Sequence, residues 1–308
     1  FRLERDGYIS LSFRHEYVDN SSTLWKLTLF DEACGAINQK TASGQDVNNT
    51  YDPVGLPAGT YYIEVAPYSH NTYSTVPYNL TVNFAPASDW ETEDNGEFAR
   101  ADQIDVNATV NGSMIHNSDT DLFQFNLSQP GYINLSFDHE YIDDSSTLWY
   151  INLYNAEYRL INRYSAAGED IKNEYGYVGL PAGTYYVGIS PYSLNTYSTK
   201  PYKMKVNFTP SAEWETEFND SFALADAIQT NQMVHGAIMN SSDKDFYRFE
   251  LPSDGAVILS FAHDYVDNSS VLWYIDICNS EYKLLNEYRS TGDIVDGKSG
   301  IIGLPAGT

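Results

Sequence analysis

The chain has 308 residues, enough for two or three domains of ordinary size, each with a sizeable core. Forty-two Asp and Glu oppose 17 Lys and Arg, a formal net charge of −25, so the field around the protein repels nucleic acid and anionic membrane and favours cations or basic surfaces. Aromatic residues form 15% of the chain, too many for a disordered acidic tail, and no run approaches the roughly 18 apolar residues of a membrane helix.

From the N-terminus, Gly7-Tyr8-Ile9-Ser10-Leu11-Ser12-Phe13 alternates apolar and polar residues, as a half-buried strand does. The run His15-Glu16-Tyr17-Val18-Asp19, a strand around Trp25, the turn Leu56-Pro57-Ala58-Gly59-Thr60 and the tyrosine-rich loop Pro67 to Ser74 follow. Ala85-Pro86-Ala87-Ser88-Asp89 is short, polar and Pro/Ser-containing, the composition of a linker. The whole series then returns: Trp25, Trp149 and Trp273 stand 124 residues apart, and their surroundings recur at the same shift. Such a period is one domain long, not one solenoid unit. The expected repeats are 1–86, lacking its opening third, 87–210, complete, and 211–308, lacking its closing strands. The natural chain is therefore expected to continue at both ends.

In the complete repeat, period-two strands are expected at Phe123, Phe125 and Leu127, at Ile133, Leu135 and Phe137, and at Trp149, Ile151 and Leu153. Two more are expected at Tyr185 to Ile189 and Tyr202 to Phe208, and one helix of about two turns at Ser221 to Ile228. The fold class is all-β: tandem antiparallel β-sandwiches of jelly-roll type. Cys34 and Cys278 occupy non-equivalent positions, so no disulfide framework is encoded, and bound metal is a candidate clamp.

After each linker, oxygen-bearing side chains fall at alternate positions: Glu91, Glu93 and Asn95, then Glu215, Glu217 and Asn219. In an extended segment these face one way. Further on, Asp119 and Asp121, and likewise Asp243 and Asp245, stand just before a strand. Carboxylates aimed at one point repel unless a cation lies between them, and a set of hard oxygens without Cys or His suits calcium better than zinc. The competing reading is a solvated acidic linker; recurrence in both copies at one separation favours the metal.

These motifs carry a resemblance. The order Trp214-Glu215-Thr216-Glu217-Phe218-Asn219, Val234-His235-Gly236, Ser242-Asp243-Lys244-Asp245 and Leu304-Pro305-Ala306-Gly307-Thr308 resembles the bacterial pre-peptidase C-terminal domain family and the collagen-binding domains of clostridial collagenases. The resemblance implies a jelly-roll sandwich, secretion, and calcium held by Glu91, Glu93, Asn95, Asp119 and Asp121, and by Glu215, Glu217, Asn219, Asp243 and Asp245. The family's usual Pro after the second Glu is replaced by Asp94 and Phe218.

The His-acidic-Tyr-aliphatic-Asp run at His15, His139 and His263 reads as a packed strand end, since no nucleophile or phosphate loop accompanies it. Tyr68, Tyr73, Tyr192 and Tyr197 in the repeated loops offer a contact surface for a ligand or a neighbouring repeat. The expectation is a non-enzymatic extracellular protein, a calcium-stabilised stalk or fibre of the cell surface whose partners are copies of the same domain, without membrane insertion. The alternatives are an adhesive module for collagen, another matrix protein or a glycan, and an accessory tail of a secreted hydrolase.

Overall fold

A computed structural model describes residues 1–307; Thr308, the last residue of the Leu304 motif, lies outside the described residues. The chain divides into two compact units, Phe1–Ala212 and Glu213–Thr308.

Across residues 87–210, called repeat 2 here, two sheets stack. One has the strand order Asp102–Gln103, Asp121–Leu127, Gly183–Pro191, Thr147–Asn155, Leu160–Ala167, antiparallel except for its first pair. The other runs Thr109–Gly112, Tyr202–Pro210, Gly131–His139, Lys172–Glu174, with Val178–Leu180 also paired to Gly131–His139. Alternation turns one row of each strand inward, so Phe123, Phe125, Ile133, Leu135, Phe137, Trp149, Ile151, Leu153, Val187, Ile189, Met204 and Val206 close a single core between the sheets. Every strand expected in this repeat is present.

Repeat 1 reproduces the arrangement at the 124-residue shift. Gly7–His15 pairs Tyr78–Pro86 in the register in which Gly131–His139 pairs Tyr202–Pro210, so Ile9 faces Phe84 as Ile133 faces Phe208. In the second unit, Val271–Cys278 pairs Leu284–Thr291 with Trp273 opposite Ser290, matching Trp149 opposite Ala166. Here Leu272 is exposed, whereas its counterpart Leu148 is buried.

The helix expected at Ser221 to Ile228 is not formed. Phe222 instead packs on Phe246 and Tyr282, Asp226–Ala227 pairs in parallel with Tyr247–Arg248, and the corresponding stretch of repeat 2 holds only the 3-10 turn Phe98–Arg100. Strand pairing and aromatic packing override a helical pattern that had only two turns to support it. The three histidines behave as structural residues. Each ring lies 4.2–4.5 Å from the ring of Trp25, Trp149 or Trp273, and each Nδ1 sits 2.7–2.8 Å from the carbonyl oxygen of the next residue.

The segment read as a linker at Ala85 to Asp89 is not a free spacer. It leads into Trp90, whose ring centroid lies 4.3 Å from that of Tyr8, and Ile115 of repeat 2 completes an apolar cluster with Leu3, Ile9, Leu11, Leu29, Val54 and Leu56 of repeat 1.

Candidate metal centres

At the start of repeat 2 the segment after Trp90 lies outside any strand and bends at Glu93 and Asp94, yet burial alternates along it. Glu91, Glu93 and Asn95 are buried while Thr92 and Asp94 face outward. The inward set meets Asp121, the first residue of a strand, and Asp119 in the turn before it; all five are at most 7% exposed. Glu91, Glu93 and Asp121 each offer a carboxylate oxygen within 4.8 Å of the others. Oxygens bound to one calcium-sized ion at about 2.3–2.6 Å lie no more than about 5 Å apart, so this spacing fits a hard cation.

Neighbours orient the carboxylates without saturating them. Glu91 Oε1 accepts the Ser113 N–H at 2.6 Å, Asp119 Oδ2 accepts the Ile115 N–H at 2.6 Å, and the Tyr202 hydroxyl donates to Asp121 Oδ2 at 2.5 Å and to Glu91 Oε2 at 3.3 Å. Glu93 Oε1, Asn95 Oδ1 and Asp121 Oδ1 are buried without any hydrogen-bond partner. Acceptors in that state are costly, and a group of them facing charged neighbours could hold a cation. Burial, only partly offset by these hydrogen bonds, pushes the Glu91 carboxyl up to about 8. Burial and then the neighbouring carboxylates hold Glu93 and Asp121 well above the ordinary range.

The second unit builds the same centre. Glu215, Glu217 and Asp245 form the oxygen triangle; Glu215 accepts the Ala237 N–H at 2.6 Å and Asp243 the Met239 N–H at 2.5 Å. Both oxygens of Glu217, and Asn219 Oδ1, Asp243 Oδ1 and Asp245 Oδ1, lack partners. Burial followed by neighbouring negative charge raises Glu217 and Asp245 each to about 8. The peptide bonds Glu93–Asp94 and Glu217–Phe218 are cis, and they precede the two positions where the resembled family carries Pro.

Of the ten residues expected to bind metal, Glu91, Glu93 and Asp121, and Glu215, Glu217 and Asp245, are brought together as oxygen triangles, and Asn95, Asp119, Asn219 and Asp243 remain expected ligands only. Sequence reasoning missed two supporting groups. Asp102 accepts from Thr92 N, Thr92 Oγ1 and Asn95 Nδ2, pinning the ligand segment, and Asp226 does the same for Thr216 and Asn219. Their common offset of 11 residues from Glu91 and Glu215 was the available signal. The phenol is the other. Tyr202 supplies it in repeat 2, whereas in the second unit Tyr247, at the position of Phe123, donates to Glu215 Oε2 at 2.8 Å. Gly112 and Gly236 make room, since a Cβ on either would sit within 2.6 Å of that hydroxyl. Replacing Asp226 with Ala should weaken metal binding at the second centre by about tenfold, as loss of an orienting partner typically does, and a calorimetric titration reads this directly.

No protein-family profile matches the chain. A collagenase of Clostridium perfringens, ColA, is 25% identical over 213 residues, covering 62% of this chain and 18% of the collagenase. The chain is similar to clostridial collagenases. ColT of Clostridium tetani is likewise 25% identical over 193 residues, covering 60% of this chain, and the chain thus spans under a fifth of either collagenase. Among solved structures, the pre-peptidase C-terminal domain of a Bacillus anthracis collagenase matches 35% of this chain and 94% of its own, at 22% identity and a TM-score of 0.29. The resemblance read from the motifs and the two sequence matches point to the same proteins, clostridial collagenases.

Proposed function

We propose that the chain is a run of non-catalytic extracellular repeats, bounded near residues 87 and 211, each complete entry segment holding one calcium ion, and that the run forms a stalk or fibre of the cell surface. The observation that carries this reading is the set of buried, unpartnered oxygens of Glu93, Asn95 and Asp121, repeated at Glu217, Asn219, Asp243 and Asp245. Calcium suits them: the donors are all oxygen, they number more than magnesium usually takes from protein, and zinc prefers His and Cys. The residues that would hold it are Glu91, Glu93, Asn95, Asp119 and Asp121, with the five counterparts in the second unit. The seating of repeat 2 on the core of repeat 1 supports a stiff array, and copies of the same domain are the natural lateral partners. Similarity to collagenases supports secretion, and among the described residues no helix is long and apolar enough to cross a membrane.

Small-angle scattering with millimolar calcium and then with chelator tests the reading. An elongated particle that becomes more flexible on chelation is expected; an identical profile in both buffers would remove calcium from the architecture.

A second reading, an adhesive module for matrix protein or glycan, is favoured by the loops. Tyr68, Tyr73 and Tyr192 are 51%, 58% and 45% exposed, with only Tyr197 half-buried. Exposed, rigid, amphipathic rings suit contact with a ligand, and tandem copies multiply avidity.

A further inference from the structure

The first metal centre does not rest on its own repeat alone. Its ligand segment runs along repeat 1, where the Glu93 N–H donates to the Gly55 carbonyl at 3.1 Å. A Cβ built on Gly55 would lie 2.0 Å from the Glu91 carbonyl oxygen and 2.5 Å from Trp90 Cδ1, so only glycine admits the segment this closely. The opposite side of the centre is anchored to repeat 1 as well. Ser113, whose N–H is held by Glu91, donates its hydroxyl to the Pro53 carbonyl at 2.7 Å. Ile115, whose N–H is held by Asp119, buries its side chain in the core of repeat 1 and accepts a hydrogen bond from Lys40 Nζ at 3.3 Å.

Each of these backbone groups is shared: one side grips a ligand carboxylate and the other grips the preceding repeat. A shift of repeat 1 against repeat 2 therefore displaces Glu91 and Asp119 from the geometry that brings their oxygens together, and a cation that fixes those oxygens resists the shift.

We propose that Gly55 and Pro53 are positioning residues for the first metal centre, so that repeat 1 sets the affinity of the cation held in repeat 2, and the cation in turn strengthens the docking of repeat 2 on repeat 1. The reciprocity is thermodynamic: whatever docking adds to metal affinity, metal adds to docking. The inference rests on the calcium reading above and extends it to a part of the chain that contributes no ligand. It also separates the two centres. Ser113 is matched by Ala237, which has no hydroxyl, and Lys40 by Tyr164, so the polar anchors of the first centre are not encoded a second time.

Lys40 itself is a poor probe, since its charge repels the cation that its hydrogen bond helps to seat, and the two effects of removing it oppose each other. The clean test is Gly55→Ala in the full chain, titrated with calcium by calorimetry and followed by hydrogen exchange at the Glu93 amide. One centre should weaken by about tenfold or more while the other stays at the parental value, and calcium should no longer slow exchange at Glu93. Gly303→Ala is the control, because Gly303 holds the same place in the third repeat with open space around it; both affinities should stay parental. Should Gly55→Ala unfold repeat 1, Ser113→Ala removes only the bond to Pro53 and should weaken the same centre by about threefold. Parental affinity at both centres in both variants overturns the proposal. A parental chain that takes up no calcium overturns the metal reading itself, and this inference with it, which the first titration reveals before any variant is made.

Discussion

In chelator the protein should be more stable at pH 5 than at pH 8, and calcium should reverse that order. Burial and mutual repulsion raise Glu91, Glu217 and Asp245 to about 8, from ordinary values of 4.5 for Glu and 3.8 for Asp. Below about pH 4 the folded and unfolded chains both hold these protons. As pH climbs from there toward 8, the unfolded chain releases them freely while the folded chain must keep them or bear unpaired buried charge. The folded state therefore binds more protons across this window, and its stability falls as pH rises through it. A cation replaces the protons and needs the carboxylates ionised, so its contribution grows in the opposite direction. At a hundredfold excess over the dissociation constant, each occupied centre should add about 2.7 kcal/mol to the stability of the unit that carries it. Melting temperatures at the two pH values, each with calcium and with chelator, give the four numbers needed. The net charge of −25 also disfavours the compact state as pH rises. A chain with Glu217→Gln and Asp245→Asn separates the two effects: it should show a flatter pH dependence in chelator and a smaller response to calcium. Equal slopes for parent and variant would mean that the second cluster carries no unusual protons.

What the sequence made legible follows from which interactions are local. Strands such as Gly131–His139 were readable because one buried face imposes a period of two on Ile133, Leu135 and Phe137, and the register between strands then follows from that face. The buried acidic set was readable for a related reason: Glu91, Glu93 and Asn95 fall at alternate positions, and recurrence at Glu215, Glu217 and Asn219 separates that pattern from chance acidity. The misread helix at Ser221 to Ile228 shows the limit. Its spacing is compatible with a helix, yet Phe222 and Asp226 are committed to partners further along the chain, Tyr282 and Tyr247, that no local pattern announces.

The same limit hid the seam between the first two repeats. Ala85 to Asp89 has the composition of a spacer, and composition reports what a segment can tolerate, not what the residues after it touch. Contacts such as Glu93 to Gly55 join residues far apart in the chain through backbone atoms, which leave almost no trace in side-chain identity beyond the glycine itself. Tyr202 and Tyr247 escaped notice because they perform one task from non-equivalent positions, so the repeat that exposed the carboxylates could not expose the phenols.

Asp121→Asn should raise stability in chelator and lower it in calcium, a crossing that few structural roles produce. Asp121 is fully buried, with Oδ2 accepting from Tyr202 and Oδ1 unpartnered. Burial, then the charges of Glu91, Asp119 and Glu93, hold its carboxyl well above the ordinary range. Asparagine keeps an oxygen for the Tyr202 hydroxyl and brings an amide N–H into a cluster whose Glu93 Oε1 has no donor. In the metal-free protein it thus removes the cost of keeping a proton on a buried carboxyl and adds a hydrogen bond, worth roughly 1–2 kcal/mol. In calcium the balance inverts. The ion loses an ionised ligand, and because ligand charge count governs affinity in such cages, binding at this centre should weaken on the order of a hundredfold. That loss cancels about 2.7 kcal/mol of ligand-linked stability at saturating calcium. Melting curves of parent and variant in the two buffers should therefore cross in rank. If the variant melts lower by the same amount in both, Asp121 acts only through its bond to Tyr202, and the oxygens around it hold no ion.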